Sequence, residues 1–186
     1  MKRVLIIAGV VAVTMAAAML FTRAGGGSSA EAHRPSASGV FYNAAGDPDP
    51  VGVAKLTEED GSVLVRVAVH GLAPGFHGFH VHAAGVCKAP FTTAGGHFNP
   101  NAASHPNHAA DMPVLLVNAD GTGEARFKTD RFDIADLFDT NGSALIIHAG
   151  PDNYANIPAR YGTPDATTLL TGDAGSRVAC AVLKGD

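Results

Sequence analysis

Between Ser62 and His70 the chain alternates without a break, with Val63, Val65, Val67 and Val69 on one face of an extended segment and Leu64, Arg66, Ala68 and His70 on the other. A period of two is the mark of a half-buried antiparallel strand. Shorter runs of the same kind lie at Val40 to Tyr42, Val51 to Thr57, Val114 to Val117, Gly123 to Phe127, Ser143 to His148 and Arg177 to Leu183. Turn-forming residues punctuate them: a loop over Asn43 to Pro50, a hairpin turn at Glu58-Glu59-Asp60-Gly61, and further turns at Asn118 to Gly121 and Asn141-Gly142. Asp130 to Phe138, apolar at Phe132, Ile134, Leu137 and Phe138, fits a short helix and an irregular strand equally well.

With Gly75 to His82 read as one more strand, the tally is about eight strands, no strand–helix alternation, and two long stretches of little periodicity, Ala83 to Pro113 and Ala149 to Ser176. The expectation is an all-β domain, an eight-stranded Greek-key β-barrel or sandwich of immunoglobulin-like type, whose two long loops carry function. Composition agrees. The 186 residues are 46% hydrophobic with 22 Gly, 11 Pro and no Trp, which suits one turn-rich domain with an aliphatic core and a short appended segment.

That segment is at the N-terminus. Met1-Lys2-Arg3, the apolar run Val4 to Phe21 and the small-residue stretch Ala24 to Ala32 read as a signal peptide, with Ala30-Glu31-Ala32 as its cleavage zone, or as an uncleaved membrane anchor. Residues 1–32 are assigned to it, 33–38 to a polar linker and 39–186 to the domain. Cleavage after Ala32 leaves 10 basic and 16 acidic residues, an acidic balance that argues against nucleic acid or an anionic membrane surface as partner. A membrane contact is expected only if the segment is retained. The expected location is therefore extracytoplasmic: secreted, periplasmic or at the cell envelope. Cys87 and Cys180 both fall in the exported part, where thiols are oxidised, and one disulfide between them is expected.

The chemistry lies in the histidines. His80 and His82 share one face of their strand with backbones about 7 Å apart, close enough for two imidazoles to converge on one ion. The following loop contains Gly95-Gly96-His97-Phe98-Asn99-Pro100 and then His105, His108 and Asp111 at intervals of three, three nitrogens and a carboxylate of the kind that close tetrahedrally on zinc. Taken singly, any of these is an ordinary strand or loop histidine. Six of the nine histidines, His148 among them, stand beside the long loops, which is hard to reconcile with chance.

Four motifs in this order resemble the copper/zinc superoxide dismutase family, in its secreted bacterial form. They are Gly75-Phe76-His77-Gly78-Phe79-His80-Val81-His82, Gly95 to Pro100, Ile146-Ile147-His148-Ala149-Gly150, and Gly172-Asp173-Ala174-Gly175-Ser176-Arg177-Val178-Ala179-Cys180, and the match runs from about Ser38 to Leu183. The resemblance implies copper bound by His80, His82, His97 and His148, and zinc bound by His97, His105, His108 and Asp111, with His97 shared between the two. It implies dismutation of superoxide to dioxygen and hydrogen peroxide by one-electron copper cycling, with His97 handling a proton and Arg177 guiding the anion. Asp152 resembles the carboxylate that links a copper histidine to a zinc histidine. His77 is expected as a buried hydrogen-bonding residue, and His70 and His33 as structural or exposed.

The chain also departs from the family pattern. The zinc loop is short between His105 and His108, Ala110 stands where a glycine is common, and the second loop offers Arg160 and Arg177 but no lysine run. Two alternatives follow: a copper-only dismutase with an empty zinc site, and a non-enzymatic copper-binding or delivery module on the same fold. A homodimer is left open.

Overall fold

The computed structural model describes residues 34–186. The expected signal or anchor segment, residues 1–32, and His33 lie outside the described residues. The domain is built on ten strands: β1 Ser36–Asn43, β2 Gly52–Glu59, β3 Ser62–Val69, β4 Gly75–His77, β5 Phe79–His82, β6 Leu115–Val117, β7 Gly123–Thr129, β8 Ala144–His148, β9 Arg177–Val182 and β10 Lys184–Gly185. They hydrogen-bond in the order β4-β6-β7-β3-β2-β1-β9-β8-β5, with β10 beside β1, and every pairing is antiparallel. The two ends of that order, β4 and β5, are neighbours in the chain, so the sheet curls into a nearly closed barrel.

Ten strands replace the eight expected because two runs are interrupted. The histidine segment breaks at Gly78, whose N–H donates to the Gly150 carbonyl (2.8 Å) and whose carbonyl accepts from His148 N–H (2.8 Å), so β4 and β5 pair with different partners, β6 and β8. The last segment breaks at Leu183, whose N–H donates to Ser143 O. At the other end β1 begins inside the stretch read as linker. Ser36 and Ala37 are buried, and the two serines that made the stretch look like a tether donate through Oγ to the Asp186 carboxylate, at 3.0 Å from Ser36 and 2.7 Å from Ser38. The β2–β3 turn is tighter than expected: Glu58 and Glu59 remain in β2, and Asp60 and Gly61 alone reverse the chain, both at positive φ (54° and 76°), as a two-residue hairpin requires.

The four alternate valines of β3 point into the barrel with Phe41, Leu56, Phe79, Val81, Leu115, Leu145 and Ile147, and the rings of Phe41 and Phe79 meet at 6.5 Å. The ambiguous Asp130–Phe138 stretch resolves into a 3-10 helix, Ile134–Phe138, that buries Ile134 and Leu137. Asp133 and Asp136 close a capping box at its start, and Glu58 Oε1 accepts from Ile134 N–H (3.0 Å).

β8 is buried on both faces. Leu145 and Ile147 face the barrel core, while Ala144 and Ile146 face outward onto a second cluster with Phe91, Ala94 and Cys180. That cluster is the underside of the first long loop. The Cys87–Cys180 disulfide, with Cα atoms 5.7 Å apart across a sequence separation of 93, fastens the loop to β9. A 3-10 turn at Thr92–Ala94 is thereby held over the outer face of β8, by Ala144 and Ile146.

Candidate metal centre

Each chain segment brings its histidines in with a different restraint. On β5, Phe79 and Val81 are anchored in the core, which turns His80 and His82 to the outer face, where a strand's alternation must put them. Both are buried, because the first long loop lies over them: isolated bridges join His82 to His97 and His80 to Asp111. His148 arrives at the end of β8, next to β5 in the sheet. The loop itself is pinned by backbone bonds from Ala110 N to Phe98 O (3.1 Å) and from Phe98 N to Val81 O (2.9 Å).

These restraints gather two sets of donors, His80, His82, His97 and His148 in one and His97, His105, His108 and Asp111 in the other, the ligand atoms of each within 4.8 Å of one another. His97 is common to both. Its Nδ1 lies 3.1 Å from His108 Nδ1 and 2.9 Å from Asp111 Oδ1, which leaves Nε2 to the first set.

The outer nitrogens decide which ring atoms are free. A carbonyl or carboxylate can only accept, so each of the following contacts fixes a proton on the histidine. His82 Nδ1 donates to Gly95 O (2.9 Å), and His148 Nδ1 to Gly175 O (3.0 Å). His80 Nε2 and His105 Nε2 donate to the two oxygens of one carboxylate, Asp152 Oδ2 (2.7 Å) and Oδ1 (2.8 Å). The opposite nitrogens then point inward and are the atoms open to a metal ion. His80 Nδ1 and His105 Nδ1 are buried without a hydrogen-bond partner, and His82 Nε2 faces His148 Nε2 at 3.4 Å. Asp111 Oδ2 stands 3.0 Å from His105 Nδ1, a contact that favours a proton on that ring when no metal ion lies between them. Buried lone pairs converging without donors are what a metal ion satisfies, and both sets fit one.

Electrostatics separates the two sets. Burial lowers His80 to about 4, against its hydrogen bond to Asp152, and lowers His82 to about 2 and His148 to about 3, so all three stay neutral and able to ligate. The second set contains the Asp111 carboxylate and, without a metal ion, favours a proton on His105. Burial also pulls His105 down, but Asp111 and Asp152 together lift it to about 9, while burial's upward push on Asp111 is outweighed by His105 and His97, which hold it far below the usual carboxylate range. Four imidazoles suit a copper couple, and three imidazoles with a carboxylate suit zinc.

Similarity to known proteins agrees. The model of the copper/zinc superoxide dismutase (SODC) family matches residues 51–183. The chain belongs to the copper/zinc superoxide dismutase family. It is similar to the superoxide dismutase [Cu-Zn] of Mycolicibacterium paratuberculosis, 40% identical over 181 residues that cover 86% of this chain and 79% of that one. The corresponding protein of Mycobacterium tuberculosis is 42% identical over 158 residues, 74% of this chain and 66% of the relative. Among solved structures, a double mutant of a SOD-like protein from Bacillus subtilis superposes with a TM-score of 0.65 at 30% identity, over 77% of this chain and 94% of that one. Membership in the superoxide dismutase family makes superoxide the substrate and copper and zinc the cofactors.

The remaining expected residues fall as follows. Arg177 Nη1 donates to Phe91 O (2.6 Å) and Nη2 to Gly95 O (2.5 Å), and the residue lines a cleft with His82, His97, His148, Leu170 and Asp173. Arg160 is elsewhere, over the ring of Tyr161 at 4.6 Å. His77 is buried and braces the chain: Nδ1 lies 2.6 Å from His148 O and Nε2 2.8 Å from Ala73 O. His70 is exposed. The short loop and Ala110 do not scatter the zinc set; Ala110 is fully buried, its φ is not positive, and a glycine there is unnecessary.

Three contributors were not singled out from the sequence. Tyr154 lies parallel to the His105 ring (6.4 Å, 8°), accepts at its hydroxyl from Val114 N–H (2.8 Å), and donates its own N–H to Asp152 Oδ1 (2.6 Å). Arg131 Nη1 donates to Pro106 O (2.8 Å) and His108 O (3.2 Å), tying the zinc loop to the turn after β7. The carbonyls of Gly95 and Gly175 orient His82 and His148. A backbone carbonyl has no sequence signature, although Gly95 and Gly175 both lie within the motifs quoted above.

Proposed function

We propose that this chain removes superoxide outside the cytoplasm, with copper held by His80, His82, His97 and His148 and zinc by His97, His105, His108 and Asp111. The observation that carries the assignment is the direction of the imidazoles: every outer nitrogen named above is committed to a carbonyl or a carboxylate, and the free nitrogens converge in two groups that share His97. When bound, copper supplies a one-electron couple and zinc a fixed positive charge.

The chain's own residues do the rest. Arg177, its guanidinium fixed by two carbonyls at the cleft, draws in a small anion and holds it beside His82 and His148. His97, held at Nδ1 by the zinc-side donors, takes up one of the two required protons at Nε2 and delivers it to the product. Two superoxide ions and two protons give one dioxygen and one hydrogen peroxide. Asp152 keeps His80 and His105 in register through opposite oxygens, so the two sets cannot drift apart independently.

The deciding experiment is superoxide consumption by the purified domain with copper and zinc quantified in the same sample. The expected result is rapid loss with both metals near one per chain. Rapid loss with copper alone selects the copper-only alternative, and tight copper binding without turnover selects the delivery module. The extracytoplasmic location is supported by the disulfide and by the N-terminal pattern of charge and apolar residues. Cell fractionation with N-terminal sequencing of the mature protein tests it; a cytoplasmic chain beginning at Met1 would overturn it. Sedimentation of the same sample decides whether a homodimer forms.

A further inference from the structure

The carboxylate that joins the two donor sets is roofed by a bare backbone carbon. Gly172 caps α1, Thr168–Thr171, in the left-handed conformation (φ 57°). Its N–H donates to Thr168 O (3.0 Å) and its carbonyl accepts from Asn153 N–H (2.8 Å), which presses its Cα onto the Asp152–His105 hydrogen bond. A Cβ at this position would overlap Asp152 Oδ1 and stand 2.5 Å from His105 Nε2 and 2.7 Å from Asp152 Cγ. The same short helix holds His105 from its other side, since Leu169 O accepts from His105 N–H (2.9 Å).

Gly162 supplies the contrast. It lies in the same loop with a positive φ (108°), yet a Cβ there meets nothing within 4 Å. Backbone freedom explains a glycine at position 162; position 172 needs the missing side chain as well.

From this contact we propose that Gly172 is a positioning residue for both metal sites: its lack of a side chain lets the second long loop close over Asp152 and hold that carboxylate against His80 and His105. The inference rests on the reading of Asp152 as the link between the two sets. A methyl group at position 172 must push the carboxylate aside, and because one carboxylate serves both histidines, both sites are disturbed together.

The test compares Gly172→Ala, Gly162→Ala, Asp152→Ala and the double variant Asp152→Ala/Gly172→Ala, each with its disulfide intact. Zinc affinity is measured by competition with a chelator, and the copper environment by the electron paramagnetic resonance spectrum of the Cu(II) form. Gly172→Ala is expected to weaken zinc by about tenfold or more and to shift the copper spectrum, while Gly162→Ala changes neither. In the Asp152→Ala background, where the methyl group has room, Gly172→Ala is expected to add less than about twofold. If Gly172→Ala alone fails to fold, folding of the double variant supports the proposal; failure of both assigns Gly172 to the turn alone and overturns it. Wild-type zinc affinity and spectrum in Gly172→Ala, or its full loss added on top of Asp152→Ala, also overturns it. If Asp152→Ala itself leaves both readouts unchanged, the linking role of Asp152 fails, and this inference with it.

Discussion

Arg177 sits where two demands meet. Its guanidinium is partly buried and bonded to two carbonyls of the first loop, so it is a fixed charge rather than a mobile one, and Gly95 O, one of those acceptors, also receives His82 Nδ1–H. Replacing it with alanine removes the charge that an arriving anion meets but touches no ligand. We expect turnover to fall about tenfold or more with copper affinity unchanged, as pulse radiolysis and copper titration would show. Arg131 makes the opposite case, remote from the cleft but bonded to the backbone of the zinc loop. Arg131→Gln is expected to lower zinc affinity about tenfold, roughly the value of one charge-assisted hydrogen bond, and to spare copper; equal loss of both metals would rule out a local role. At this scale the candidate ligands were legible because their chemistry is written in residue type and spacing: His80 and His82 two apart, His105, His108 and Asp111 three apart. Tyr154 and Arg131 were not, and Gly172 stood in a motif without a role of its own, because each acts through a contact that depends on where the backbone of another loop runs.

At the scale of elements, β8 and the first loop form one device. Ala144 and Ile146 on the outer face of β8 receive Phe91 and Ala94, the disulfide clamps the far side, and the Thr92–Ala94 turn ends at the carbonyl that serves His82 and Arg177. Cutting the clamp with the pair Cys87→Ser and Cys180→Ser should cost about 4 to 5 kcal/mol in the chain-entropy account, less any relief of strain. Because the turn is freed as well, turnover should fall even where the barrel remains folded. Chemical denaturation and activity on the same sample separate the two effects; full activity at reduced stability would show that the turn holds without the bond. The alternation of β3 and the burial of β8 were readable from the sequence, since a period of two and a continuous apolar run each have a single meaning in a strand. The break at Gly78 was not, because a strand that changes partners keeps its alternation while it does so. Nor was the start of β1: the polar serines at 36 and 38 find their partner in Asp186, at the far end of the chain.

For the whole molecule, the metals and the fold should stabilise one another. His80 and His82 come from β5, His148 from β8, and the others from a loop that has little regular structure of its own, so an ion held by either set would cross-link segments far apart in sequence. Anything that binds the native state alone raises its stability by mass action. Removing both metals with a strong chelator is therefore expected to lower the melting temperature markedly while the far-ultraviolet spectrum keeps its β character, and adding back zinc alone should recover part of the loss. No change on chelation would mean that the loops are held by the protein alone. A core change acts through the same coupling from the other direction. Phe79→Ala should cost about 3 to 5 kcal/mol, because Phe79 is fully buried against Phe41 and anchors the strand whose opposite face carries His80 and His82.

The strand order has one more consequence. Its first and last members, β4 and β5, are separated in the chain by Gly78 alone, so the sheet nearly meets itself there. A sheet that ends this way offers little unpaired backbone along its rim, and unpaired rims are where foreign strands add on and aggregates begin. The domain is thereby protected against templated strand addition at high local concentration.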